Sequence, residues 1–144
     1  MGQIATSWQF WAGLAAVFAA LTAIFAKVGV QDIDSDLAKF LRTIVVVAAL
    51  GALVWATGKT QGLGALTPRT TLFLLLSGLA TGASWLCYFR ALQLGDASRV
   101  APIDKLSVVF VAVFAALFLG ERLSGVGWGG VALIGLGSVL VAVG

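Results

Sequence analysis

The sequence predicts an all-α integral membrane protein of five transmembrane helices, and three observations carry that reading. Hydrophobic residues make up 60% of the 144-residue chain and charged residues only 10%, where a soluble domain carries roughly 25% charged. Mean hydropathy is +1.06. The apolar residues fall into five runs of roughly twenty, each long enough at ~1.5 Å per residue to cross a hydrocarbon core of ~30 Å, and short segments rich in Gly, Asp, Lys and Arg separate them.

The same composition excludes several kinds of chemistry. There is no His and a single Cys, Cys87, so an internal disulfide and a four-ligand Cys/His zinc site are ruled out, and neither metal nor other cofactor is expected. Without a His, a Cys-based dyad or paired carboxylates within one span, the chain is not expected to be an enzyme. The net charge of +3 comes from Lys and Arg at segment ends, not from a basic patch, so no nucleic-acid partner is expected.

The first span is read over 8–26. Met1 to Phe10 holds no Lys or Arg, unlike the basic start of a cleavable signal, and the run is expected to be a retained helix. Trp8 and Trp11 suit an interfacial belt. Ala12, Ala16 and Ala20, with Ala15, Ala19 and Ala23, leave a smooth face expected to pack on protein.

The loop that follows holds Asp32, Asp34 and Asp36 but lacks the Gly and distal Glu of a calcium loop. It is expected to cap the next helix through Asp34, Ser35 or Asp36. That second span, 37–56, carries Lys39 and Arg42 in its first turns. Either both stems snorkel to the headgroups or one of them lines a cavity.

Gly58 to Arg69 is Gly-rich but lacks a phosphate-loop pattern, and reads as a connector. Thr67 and Pro68 fit the N-cap and first position of a third helix, whose span is read over 70–94. Gly78 and Gly82 in it form a Gly-x-x-x-Gly pair. After the break Gly95-Asp96-Ala97-Ser98-Arg99 comes a fourth span, 100–119; if Pro102 takes the first helical position, Asp104 falls in the first turn. Ser124 is a candidate N-cap for the fifth, 126–144. Gly127, Gly129, Gly130, Gly135 and Gly137 make this last helix an expected packing or dimer contact.

With five spans the termini lie on opposite sides. The N-terminal face collects Lys59, Arg69 and Arg122, the other face Lys27, Lys39, Arg42 and Arg99. So small a bias favours a cytoplasmic C-terminus only slightly and leaves room for insertion in both orientations.

Charges inside spans point to function. Arg90 lies about one turn before the end of the third span and Asp104 about one turn after the start of the fourth, so an Arg90–Asp104 pair is geometrically natural. Two roles remain open for these groups: structural pairing, with Asp104 favoured by a helix dipole, or contact with a substrate or coupling proton. Lys105 points about 100° away from Asp104, so one is expected to face a cavity and the other a neighbour. Trp85 and Tyr88 share a face of the third helix, suited either to helix packing or to a cationic or flat organic substrate. The candidate substrate contacts are therefore Trp85, Tyr88, Arg90, Asp104 and Lys105.

Tyr88-Phe89-Arg90-Ala91-Leu92, the stretch from Gly95 through Pro102-Ile103-Asp104-Lys105 to Ser107, and Leu119-Gly120-Glu121-Arg122 together resemble the EamA-type repeat of the drug/metabolite transporter superfamily. Within it the chain is similar to the small bacterial/archaeal family whose members carry one five-helix repeat. The resemblance covers nearly the whole length, as a single transmembrane domain over 1–144. It implies one half of an inverted-repeat fold and multi-pass residence in the cytoplasmic (inner) membrane. It also implies secondary transport, often export, of small organic metabolites or drugs.

The larger relatives place a pathway between two oppositely oriented repeats. An odd number of spans lets a homodimer reproduce that inversion only if it is antiparallel, so a homodimer is the expected partner state, with alternating access between two protomers. Proton coupling would fall to Asp104. The competing expectation is a non-transporting packing subunit or lipid-handling accessory protein.

Overall fold

The computed structural model describes residues 7–144; the first six residues of the expected domain lie outside the described residues. The described residues are mostly helical, joined by short turns, and contain no strand. Five helical stretches are long and apolar enough to span a membrane: Trp8–Gly29, Ser35–Ala56, Pro68–Leu94, Ala97–Leu119 and Gly125–Val143. We denote them α1 (Trp8–Gly29), α2 (Ser35–Ala56), α3 (Pro68–Leu94), α4 and α5 (Ala97–Asp104 and Ser107–Phe114, the two pieces of the fourth span) and α6 (Gly125–Val143).

Local chemistry accounts for the helix starts. Asp34 caps α2, its Oδ1 accepting from the amides of Asp36 and Leu37 at 2.8 and 3.2 Å, which satisfies two of the orphan donors at a helix start. Thr67 Oγ1 accepts from the Thr70 amide at 3.1 Å, and Pro68 occupies the first position of α3, where its missing N–H costs nothing. Ser124 Oγ accepts from Gly127 at 3.1 Å to open α6. All three caps match the expectation from sequence. Between α2 and α3 the connector winds into a 3₁₀ helix, Lys59–Ala65.

The chain divides into two compact units, one formed by residues up to Val28 together with Leu94–Gly144, the other by Gly29–Gln93. In the first unit α6 packs against both α4 and α5. Arg99 Nη2 donates to the Gly144 carbonyl at 3.5 Å, so α4 begins where α6 ends and the two run antiparallel. Gly135 lets these helices approach: a Cβ there would lie 3.1 Å from Val109 Cγ2. Lys27 at the end of α1 donates to the Gly95 carbonyl at 2.9 Å. In the second unit Gln93 Nε2 donates to the carbonyls of Ile33 and Val30 at 3.0 and 3.4 Å, tying the end of α3 to the loop that precedes α2.

Neither unit has the core of a water-soluble domain. The buried apolar residues are Ala23, Ala26, Val30, Phe89, Leu92 and Ala112, while most Leu, Phe, Val and Trp side chains face outward. Lipid is the solvent that accepts such a surface. The smooth alanine face of α1 is buried only near its end, at Ala23 and Ala26; Ala12, Ala16 and Ala20 are exposed.

The fourth span differs from its expected form. Helix begins at Ala97, because the amides of Arg99 and Val100 both bond to the Asp96 carbonyl, at 3.0 and 2.9 Å. Pro102 is therefore inside α4 and not at its first position. Proline has no N–H to give to the carbonyl four residues back, and just beyond it the ladder tightens. Lys105 N donates to Pro102 O at 3.1 Å, and Leu106 N to Ile103 O, Val108 N to Lys105 O and Val109 N to Leu106 O at 3.0 Å each. These are 3₁₀-type bonds, and they separate α4 from α5. Further on, Ala115–Leu119 relaxes into a π turn closed by Gly120 at φ 69°. Irregular turns of both kinds inside a helix recur at hinges and functional sites.

Candidate functional site

Polar residues recur along one side of α2 at helical spacing: Ser35, Lys39, Arg42 and Thr43. Ser35 and Lys39 are buried, Lys39 to 8% exposure. The facing side of α3 carries Gly82, Trp85, Phe89 and Leu92, again one helical face, with Phe89 and Leu92 buried. The Lys39 ammonium donates to the Gly82 carbonyl. The Arg42 guanidinium carbon lies 4.4 Å from the centroid of the Trp85 ring and 5.6 Å from that of Phe89. Thr43 Oγ1 donates to the Lys39 carbonyl at 2.8 Å.

The direction of the Lys39 side chain runs against the snorkelling reading. The Gln93 bonds put the start of α2 and the end of α3 on one side, so the two helices run antiparallel. Lys39 precedes Arg42 by three residues, yet its partner Gly82 lies three residues, ~4.5 Å, deeper along α3 than Trp85. Lys39 therefore reaches inward past Arg42, whereas Arg42 reaches back toward Trp85 and Phe89. A snorkelling lysine would do the opposite.

The sequence-predicted site residues fall into two sets. On α3, Trp85 and Tyr88 are half-buried, and the ring of Trp85 already has Arg42 over it. Arg90 is exposed and donates to Gln93 Oε1 at 3.0 Å. At the end of α4, Asp104 Oδ2 accepts from Lys105 Nζ at 3.2 Å, with Lys105 exposed and Asp104 half-buried. Each residue of the pair suggested by sequence has a local partner within its own unit, Gln93 for Arg90 and Lys105 for Asp104. Adjacent residues can meet here because the helix breaks at Lys105, which also removes the geometry that was to point them apart. Asp104 ends α4 rather than opening a helix, so the favourable N-terminal dipole assigned to it does not apply.

Gly82 and Gln93 were not singled out as site residues from sequence. The Gly82 carbonyl becomes a ligand only through Lys39. The polar stripe from Ser35 to Thr43 was the signal that could have found the site.

A model of the EamA-like transporter family matches residues 6–143. The chain belongs to the EamA-like transporter family. It is also 62% identical, over 137 residues, to a Sinorhizobium sp protein named "Uncharacterized transporter in cobO 3'region", a match that covers 95% of this chain and 97% of that protein. No solved structure matches it. Family and relative together make this EamA-like chain a multi-pass membrane transporter.

Proposed function

We propose that this EamA-like chain is a secondary transporter that exports small organic metabolites or drugs across the inner membrane of a bacterium or archaeon, by alternating access between two protomers. The observation that carries the reading is the interruption of the fourth span at Lys105 and Leu106. Discontinuous spanning helices are a recurring feature of secondary transporters, where irregular backbone is tolerated because it lines a cavity. The Asp104–Lys105 ion pair beside the break supplies a carboxylate for proton coupling. Trp85, Tyr88 and Arg90 on α3 are proposed substrate contacts by themselves, and Asp104 and Lys105 are so separately.

A homodimer completes the mechanism. One domain of five spans supplies half of an inverted-repeat fold, and an antiparallel second copy supplies the other half. The test is cross-linking and orientation mapping in liposomes, with single cysteines at Gly2 and Gly144 in a Cys87→Ser background. Cross-links between Gly2 and Gly144 of different protomers, with both positions reachable from outside, are the expected result. Cross-links only between like termini, with one terminus exposed, would mean a parallel assembly and end the inverted-repeat mechanism.

A further inference from the structure

We propose that Lys39 and Arg42 form the binding site for the anionic group of a small organic substrate, a carboxylate or a phosphate. The proposal rests on the transporter reading above and names its substrate class. Both cations sit on one face of a membrane-spanning helix, within one turn of each other. Within their own unit neither is ion-paired with a carboxylate, and the Lys105–Asp104 ion pair lies in the other unit. The neighbouring Asp32, Asp34 and Asp36 are exposed, and Asp34 is taken up in capping α2.

Each cation keeps donors in hand. An ammonium has three N–H groups, and the side-chain bond of Lys39 among the described residues is to Gly82. The guanidinium carbon of Arg42 lies over the Trp85 ring, and a guanidinium carries five N–H donors, more than one ring contact engages, so donors remain for a planar anion. Two like charges in a low-dielectric setting repel, and each carries a desolvation cost. An anion seated between them offsets both. The same geometry disfavours a substrate cation at Trp85, since it would have to share the ring with Arg42.

The orientation of Lys39 selects a soluble anion over a lipid phosphate. A lysine serving headgroups turns outward, and this one is turned toward Gly82, deeper than Trp85. A Cβ at Gly82 would meet no side chain or neighbouring helix within 4 Å.

The test uses the full chain in a neutral detergent. Benzoate and phenyl phosphate are the anionic probes, benzamide the neutral counterpart and benzylammonium the cation, with binding read by calorimetry. We expect saturable binding of the anions and none of benzamide or benzylammonium. Lys39→Gln and Arg42→Gln should each weaken anion binding about tenfold or more while circular dichroism stays unchanged. Should Lys39→Gln fail to fold, Arg42→Lys decides, because it keeps the charge and gives up the fork; it should bind phenyl phosphate more weakly than the wild type.

Equal binding of benzamide and benzoate, or anion binding indifferent to these substitutions, overturns the site. So does loss of probe binding on adding phosphatidylglycerol when native mass spectrometry shows that lipid retained by the wild type and lost in the variants. Flux in proteoliposomes separates this from the parent reading. Anion binding without flux of any probe leaves the site and sinks the transporter mechanism. Saturable flux of benzylammonium, unaffected by Lys39→Gln and Arg42→Gln, leaves transport and sinks the site.

Discussion

Arg42 of α2 holds its guanidinium carbon 4.4 Å from the centroid of the Trp85 ring of α3. A cation over an indole is worth about 0.5–1 kcal/mol when exposed and about 2 kcal/mol when desolvated, and both residues are half-buried. A double-mutant cycle with Arg42→Gln and Trp85→Leu, read by unfolding in detergent, should therefore give a coupling of about 0.5–2 kcal/mol. Trp85→Phe should keep part of it. Additive effects would show that the two side chains are neighbours without being partners.

The glycines of α6 should separate into two kinds. A Cβ on Gly135 would lie 3.1 Å from Val109 Cγ2, whereas one on Gly129 or Gly130 would meet no atom of the chain within 4 Å. Gly135→Ala requires Val109 to give by a few tenths of an ångström, a packing cost set against the same helix-propensity gain, so it should be less stable than Gly129→Ala or Gly130→Ala. Gly129→Ala and Gly130→Ala have no such neighbour and should gain up to about 1 kcal/mol of helix propensity. Gly129 and Gly130 are exposed, so a loss of assembly in Gly129→Leu or Gly130→Leu, measured by mass in detergent, would place a second copy on this face. An unchanged mass would remove this face from the proposed dimer.

Capping offers a matched comparison. Asp34 accepts two amides at the start of α2, while Asp96 makes no side-chain cap bond at the start of α4. Asp34→Ala should cost about 0.5–2 kcal/mol, and Asp96→Ala should fall within about 0.5 kcal/mol of the wild type. Thermal unfolding of the two variants side by side checks this. Equal losses would mean that Asp34 acts through its charge near the helix end and not through the bonds it accepts.

These caps show what was legible in the sequence. Asp34, Thr67 with Pro68, and Ser124 act on amides two or three residues away, so residue type and spacing were enough to place them. The five spans were legible because lipid selects length and hydropathy together. The start of the fourth helix falls earlier than the span 100–119 because residues 97–99 look like part of the polar break, and only the two bonds to the Asp96 carbonyl show that these residues are helix. Arg90 and Asp104 each took the nearest local partner, Gln93 and Lys105. The inward reach of Lys39 depends on a carbonyl forty-odd residues away, which the sequence around Lys39 does not reveal. The stripe Ser35, Lys39, Arg42, Thr43 was visible, but its direction was not.

Pro102 carries the most direct test of the broken span. Replacing it with alanine restores the N–H that can reach the Ser98 carbonyl and removes the ring that crowds the preceding turn. The 3₁₀-type bonds from Lys105 to Val109 would then compete with an unbroken α-helical ladder, favoured by up to about 3 kcal/mol of intrinsic propensity. Pro102→Ala should raise the unfolding temperature and slow hydrogen exchange at Leu106 to Val109. If the break is a hinge for alternating access, the same variant should transport more slowly in proteoliposomes while binding its probe as before, because a stiffened hinge changes the rate of interconversion and not the contacts. Faster exchange would mean that the break has some cause other than Pro102. Slower exchange with undiminished flux would mean that the break accommodates a proline and does nothing for transport.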